Sequence, residues 1–67
     1  MNKLLIADMN LTCRFCVRDL NTGHYIFSRL DQDAPGDIPP DIACLPVFGI
    51  CPVHTESGPV LYIDTFA

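Results

Sequence analysis

Two pairs of metal-binding side chains limit what this chain can fold into more than any other feature of its sequence. The first pair is Cys13 and Cys16 and the second is Cys51 and His54, and two residues separate the members of each pair. Two short turns of this kind can each present two ligands to one ion, which is the arrangement of a tetrahedral zinc site. We therefore expect a domain built around one Zn²⁺ held by these four residues.

The small size of the chain makes a metal staple useful. Its 67 residues form one domain, 1–67, and 49% of them are hydrophobic, which excludes a disordered segment. A chain of about 60 residues buries only about 60% of the surface that its unfolded form exposes, so its core is marginal. No apolar run approaches the roughly 20 residues that cross a bilayer, nor the core of a signal peptide. We expect a cytoplasmic protein with reduced cysteines and no membrane association.

The residues that flank the second pair favour a metal site. Pro52 follows Cys51 and restricts the φ angle of that turn. With Cys13-Arg14-Phe15-Cys16 and Cys51-Pro52-Val53-His54, the chain resembles zinc-ribbon and zinc-knuckle modules, in which two turns from two hairpins clamp one ion. Arg14 and Val17 depart from the proline and glycine usual in such turns. The resemblance implies a structural zinc with ligands Cys13, Cys16, Cys51 and His54, and it implies no partner or activity.

Two further residues have alternative interpretations. Cys44 could replace His54 as the fourth zinc ligand, although its six-residue gap to Cys51 is less regular than the two-residue gap to His54. We prefer to interpret Cys44 as a buried thiol that acts as a small hydrophobic side chain. His24 follows a turn and opens a strand pattern, so we expect it to be an exposed sheet residue.

Strand signals fill most of the remaining chain. Residues 17–30 predict a hairpin with its turn at Asn21-Thr22-Gly23. Residues 3–9 favour a strand, and residues 60–66 predict a final strand that is either central or an exposed edge. Both ligand pairs are expected in tight turns. The sequence thus predicts a small, mainly-β, zinc-stabilised domain that is hairpin-rich, zinc-ribbon-like and almost without helix.

The segment 31–41 differs in character from its surroundings. Four aspartates alternate there with prolines and a glycine, which is typical of a loop. We interpret this acidic, proline-rich loop mainly as a solvated spacer, with a binding surface as the alternative. Asp41 is placed to cap one helical turn through residues 42–44.

The charge of the chain disfavours nucleic acid as a partner. The formal net charge is −4, and the basic residues are Lys3, Arg14, Arg18 and Arg29. Phosphate contacts require a basic face, which this composition lacks. The leading hypothesis is therefore a small interaction or regulatory module, inhibitory in the manner of small phage proteins, that binds another protein through the edge at 60–66 or the acidic loop. A homodimer is left open.

Two alternative functions are retained. In the first, Arg14, Arg18 and Arg29 gather on one face of the hairpin and bind nucleic acid, with nearby aromatic rings stacking on bases. In the second, Cys13 and Cys16 form a redox pair. Catalysis at the metal is not expected, because four protein ligands leave no open coordination position for a substrate.

Overall fold

The computed structural model of the protein describes residues 4–9, 13–30 and 38–67. These residues form four strands: β1 (Phe15–Asp19), β2 (His24–Arg29), β3 (Gly49–Thr55) and β4 (Gly58–Thr65). One helical turn, α1 (Pro40–Ala43), and a 3₁₀ turn (Ile6–Met9) accompany them. The expectation of a small, mainly-β domain with almost no helix is confirmed.

The first hairpin forms where the sequence predicts it. Strands β1 and β2 are antiparallel, and the turn between them is closed by a hydrogen bond from the Gly23 N–H to the Asp19 carbonyl (2.7 Å). Gly23 has a φ of +77°, a backbone conformation that glycine adopts without steric cost. A β-bulge interrupts the register after Val17, so that Ile26 has no direct partner in β1.

A second hairpin joins β3 to β4 through the two residues Glu56 and Ser57. The sheet order is β2-β1-β4-β3, in which β4 lies parallel to β1 and antiparallel to β3. The final strand β4 is therefore central, which is one of the two positions that the sequence predicts for it. The expectation of an exposed edge at 60–66 is wrong, because β3 covers that side of β4.

One face of the sheet carries the core. Four side chains are completely buried at its centre, with apolar residues from the flanking segments packed against them: Ile6, Phe15, Val17 and Ile63, surrounded by Phe27, Ile38, Ile42, Leu45, Val47 and Leu61. Alternate residues of a strand point to opposite faces, so Phe15 and Val17 enter this core while Cys16 and Arg18 project from the other face. The segments 4–9 and 38–47 supply side chains to this core, so they cover the same face of the sheet.

The first segment is not the strand that residues 3–9 favoured. Within the described range 4–9, Leu5 forms an isolated bridge to Pro46, and the chain then enters the 3₁₀ turn. Ile6 is buried and its N–H donates to the Leu45 carbonyl (3.2 Å). An apolar run this short does not by itself select strand or helix. The conformation of the segment therefore follows from its tertiary contacts, in which Ile6 is buried and hydrogen-bonded to Leu45.

The acidic loop is described only in its last part, since residues 31–37 lie outside the described residues. The helical turn α1 begins at Pro40, one residue before the predicted cap Asp41. Asp41 lies inside the turn rather than capping it, and Pro39 occupies the cap position without a side-chain hydrogen bond. Proline at the first position is favourable there, because the first helical N–H groups need no partner within the helix.

Candidate interaction surface

The second ligand pair lies in a strand and not in a turn. Cys51 and His54 both belong to β3, where they pair with Tyr62 and Pro59 of β4. A strand rises about 3.3 Å per residue and alternates its side chains, so residues three apart are about 10 Å apart and point to opposite faces. The expected tight turn at Cys51–His54 is therefore wrong, and these two side chains do not converge on one ion.

The two ligand pairs are also separated from each other by a strand. Cys16 and Cys51 both pair with Tyr62, which lies between them in β4. Two strand spacings amount to about 10 Å, whereas zinc requires its ligand atoms within about 2.3 Å of the metal. In the described ranges, no three histidine, cysteine, aspartate or glutamate side chains are grouped to hold a metal ion. The residues do not fit a tetrahedral zinc site, and zinc binding stays a prediction from spacing.

The cysteines are free thiols in different environments. Cys44 ends the helical turn and is exposed, so the expectation of a buried thiol there is wrong. Its thiol points back over the turn and donates to the Asp41 carbonyl (3.5 Å). Cys16 is buried beneath the open face, and this burial raises the pKa of its thiol. Redox-active thiols usually have a lowered pKa, so the burial of Cys16 and its raised pKa do not favour a Cys13–Cys16 redox pair.

The three arginines of the nucleic-acid hypothesis are engaged within the protein. Arg14 is only 8% exposed, and its Nη2 donates to the carbonyls of Ser57 and Pro59 beside the β3–β4 turn. Arg29 lies 4.9 Å from the centre of the Phe15 ring, on the opposite face of the sheet from Arg14. The arginines therefore do not gather into one basic surface.

The third arginine, Arg18, belongs to the open face of the sheet. Its Nε donates to the Asp64 carboxylate (3.0 Å), and this hydrogen bond raises the pKa of Arg18. The pair borders a shallow cavity of about 350 Å³ on the face opposite the core, lined by Arg18, Tyr25, Cys51, Val53, Tyr62 and Asp64. Tyr25 and Tyr62 meet edge to face there, with ring centres 6.1 Å apart. The cavity is open to solvent and joins the side of β3.

The most exposed structural element is β3. All its residues after Gly49 are exposed, although a strand in a small sheet usually buries one side. Phe48 precedes the strand and is 69% exposed, and its ring meets that of Phe66 edge to face at 4.9 Å. We call the surface formed by β3, Phe48 and Phe66 the β3 edge. From Phe48 to Thr55 it contains no aspartate, glutamate, lysine or arginine.

Sequence reasoning assigned this surface to the metal site and missed its position in the sheet. A signal was present, because Pro52 lies within an apolar stretch and proline restricts a strand to the edge of a sheet. A second signal was the spacing between Thr55 and Gly58, which leaves two residues for a hairpin turn. Gly58 has a φ of +110°, as a tight turn requires.

No protein-family model matches the sequence, and neither the curated proteins nor the solved structures contain a match. Within the described ranges, the helices are too short to cross a membrane.

Proposed function

We propose that this domain is an interaction module that binds another protein through the β3 edge. The observation that carries the proposal is an edge strand exposed along six of its seven residues and free of formal charge. Edge strands that are not used for binding are usually protected by charged side chains, particularly lysine, or by proline, and β3 has Pro52 at one position but no charged side chain. A long uncharged edge therefore supports a role in recognition.

The side chains of the β3 edge are suited to contact with protein. Ile50 is 42% exposed, Val53 is 39% exposed, and Phe48 and Phe66 add two aromatic rings at one end. Aromatic residues are enriched at protein interfaces, whose centres are depleted of charge. Contact with a partner would remove these apolar surfaces from water. Each square ångström of apolar surface buried contributes about 25 cal/mol of favourable transfer free energy, from which the entropic cost of association is subtracted.

The proposal assigns binding and no reaction to the domain, with a regulatory or adaptor role that follows from the partner's own function. The nucleic-acid alternative receives no support from the positions of Arg14, Arg18 and Arg29. The proposed function depends on the position of β3 at the edge of the sheet, where β3 pairs with β4, and it does not depend on the zinc prediction.

A charge substitution on the strand tests the proposal. Wild-type protein, Val53→Lys and the control Ser28→Lys would be immobilised and exposed to extracts of the source cells. Val53 lies on β3 and Ser28 is exposed on β2, so both variants add one positive charge to an edge of the same sheet. We expect quantitative mass spectrometry to find proteins that wild type and Ser28→Lys retain and that Val53→Lys loses. Equal retention by all three would contradict the proposed surface.

A further inference from the structure

The backbone of β4 alternates between its two neighbouring strands. The N–H of Leu61 donates to the Arg14 carbonyl (3.0 Å), and the Thr65 carbonyl accepts from the N–H of Leu20 (2.8 Å). The odd-numbered residues of β4 thus direct their backbone groups toward β1. Successive residues of a strand direct these groups to opposite sides, so the even-numbered residues of β4 direct theirs toward β3.

This alternation determines which backbone groups of β3 are free. The even-numbered residues of β4 pair with the odd-numbered residues of β3, which therefore contribute the ladder bonds. The backbone groups of Ile50, Pro52 and His54 face away from the sheet. Among the described residues, the Cys51 thiol donates to the Pro52 carbonyl (3.9 Å), and a thiol is a weak donor that an incoming N–H can replace. The free edge offers three carbonyl acceptors but only two N–H donors, because proline has no N–H.

The position of Pro52 discriminates between two kinds of incoming strand. When a strand from a different protein pairs with β3, one hydrogen bond of the ladder is missing. The carbonyl of the incoming strand that faces the Pro52 nitrogen receives no donor, because proline has no N–H. When β3 pairs with β3 of a second copy about a two-fold axis, each copy contributes a proline, so the same defect occurs twice. Leaving a buried carbonyl without a donor costs about 1–3 kcal/mol. Self-pairing therefore suffers twice the penalty of pairing with another protein.

The charge of the chain discriminates in the same direction. Two copies each carry a formal charge of −4 and repel one another, whereas a basic segment is attracted. Glu56, at the end of β3, is exposed and places one negative charge beside the edge. Building on the function proposed above, we propose that β3 binds an extended, lysine- or arginine-containing segment of a different protein as a fifth strand, and that Pro52 excludes a second copy.

The first experiment uses a defined peptide and the intact protein. Isotope-labelled protein would be titrated with an acetylated, amidated peptide of alternating lysine and valine and followed by amide NMR. We expect the amide signals of Ile50 and His54 to shift and their hydrogen exchange to slow, while those of β2 stay unchanged. The same peptide with glutamate in place of lysine should bind about tenfold more weakly or worse at low salt. Absence of shifts in β3, or equal binding of both peptides, would overturn the inference.

The second experiment restores the missing donor. Pro52→Thr supplies an N–H and a residue that favours strands, without adding charge. Sedimentation analysis over a range of concentrations should show a monomeric wild type and a self-associating Pro52→Thr variant. The double variant Pro52→Thr, Val53→Lys, in which the added lysine repels its symmetry mate, should again be monomeric. A wild-type dimer that Val53→Lys dissociates would overturn the exclusion of a second copy.

The two proposals can fail separately. If the cell extract yields proteins that depend on Val53 but the lysine–valine peptide leaves β3 unaffected, the interaction module stands and the fifth-strand inference falls. If the peptide binds β3 but no extract protein depends on Val53, the recognition chemistry stands and the proposed cellular role falls.

Discussion

The side chain of Thr65 is completely buried, yet its hydroxyl has no hydrogen-bond partner among the described residues. A buried hydroxyl without a partner loses about 1–3 kcal/mol relative to water, and valine has the same shape without the polar group. We expect Thr65→Val to raise the free energy of unfolding by about 1 kcal/mol, as measured by urea denaturation.

A matched threonine provides the control. The hydroxyl of Thr55 donates to the Gly58 carbonyl (2.6 Å), so Thr55→Val removes a hydrogen bond that is formed. This change should lower the stability by about 0.5–1 kcal/mol. If both substitutions stabilised the protein equally, the environment of Thr65 would not be the cause.

The zinc hypothesis and the sheet geometry make opposite predictions at Cys51 and His54. Both side chains are exposed on β3. Exposed residues without special contacts tolerate substitution within about 0.5 kcal/mol. We therefore expect Cys51→Ser and His54→Ala to retain the fold, with thermal unfolding and native mass spectrometry as the measurements.

Structural zinc would give a different result in the same experiments. The metal contributes about 10–16 kcal/mol of apparent binding free energy in small modules, so loss of one ligand would unfold the domain. Unfolding of Cys51→Ser, together with a bound zinc that a chelator removes, would show that β3 rearranges around a metal. Cys44→Ser serves as the comparison, because its exposed thiol lies at the end of α1 and Cys44 belongs to neither ligand pair of the sequence.

At the scale of secondary-structure elements, the β3–β4 hairpin depends on a close approach between its turn and Arg14. Gly58 has a φ of +110°, and a Cβ at that position would lie 2.8 Å from Arg14 Nη2. The same guanidinium donates to the Ser57 and Pro59 carbonyls on either side of Gly58. The turn therefore requires glycine for its conformation and for the space that Arg14 occupies.

We expect Gly58→Ala to destabilise the protein by about 1–2 kcal/mol from backbone conformation alone. A further loss is expected because Arg14 must move and give up its hydrogen bonds. Gly49→Ala is the control, since no atom lies within 4 Å of a Cβ built there and its φ is not in the left-handed region. Urea denaturation should separate the two variants clearly, and equal stability would argue against the Arg14 contact.

At the scale of the whole molecule, the domain is one sheet with a core on one side and an open face on the other. The two hairpins are joined by the parallel pairing of β1 with β4, which brings together residues more than forty positions apart, such as Phe15 and Leu61. This central pairing holds β2 and β3 at opposite edges. The bulge interrupts the edge strand β2, and Pro52 interrupts the edge strand β3. Bulges and prolines in edge strands both limit edge-to-edge aggregation.

The charge of the whole molecule predicts the absence of nucleic-acid binding. The net charge is −4, and the arginines are engaged with Ser57, Asp64 and Phe15. We expect short DNA and RNA duplexes to keep their electrophoretic mobility in the presence of the protein at low salt. A retardation that disappears as salt is raised would instead favour the nucleic-acid alternative, because phosphate contacts release counterions.

Local patterns in the chain were sufficient to predict the first hairpin, the final strand and the scarcity of helix. Alternating apolar residues and glycine-containing turns act over a few residues, so they can be read without knowledge of the partners in space. The same patterns placed His24 correctly as an exposed residue at the start of a strand.

The order of the strands and the surroundings of the cysteines depended on the tertiary structure. Whether the segment Cys51–His54 forms a turn or a strand is decided by its pairing with β4, because the same spacing of residues is compatible with both. The insertion of β4 between β1 and β3 separates Cys16 from Cys51 and makes β3 the exposed edge. Spacing in the sequence reports how near two residues are along the chain, whereas a binding surface depends on which strands become neighbours.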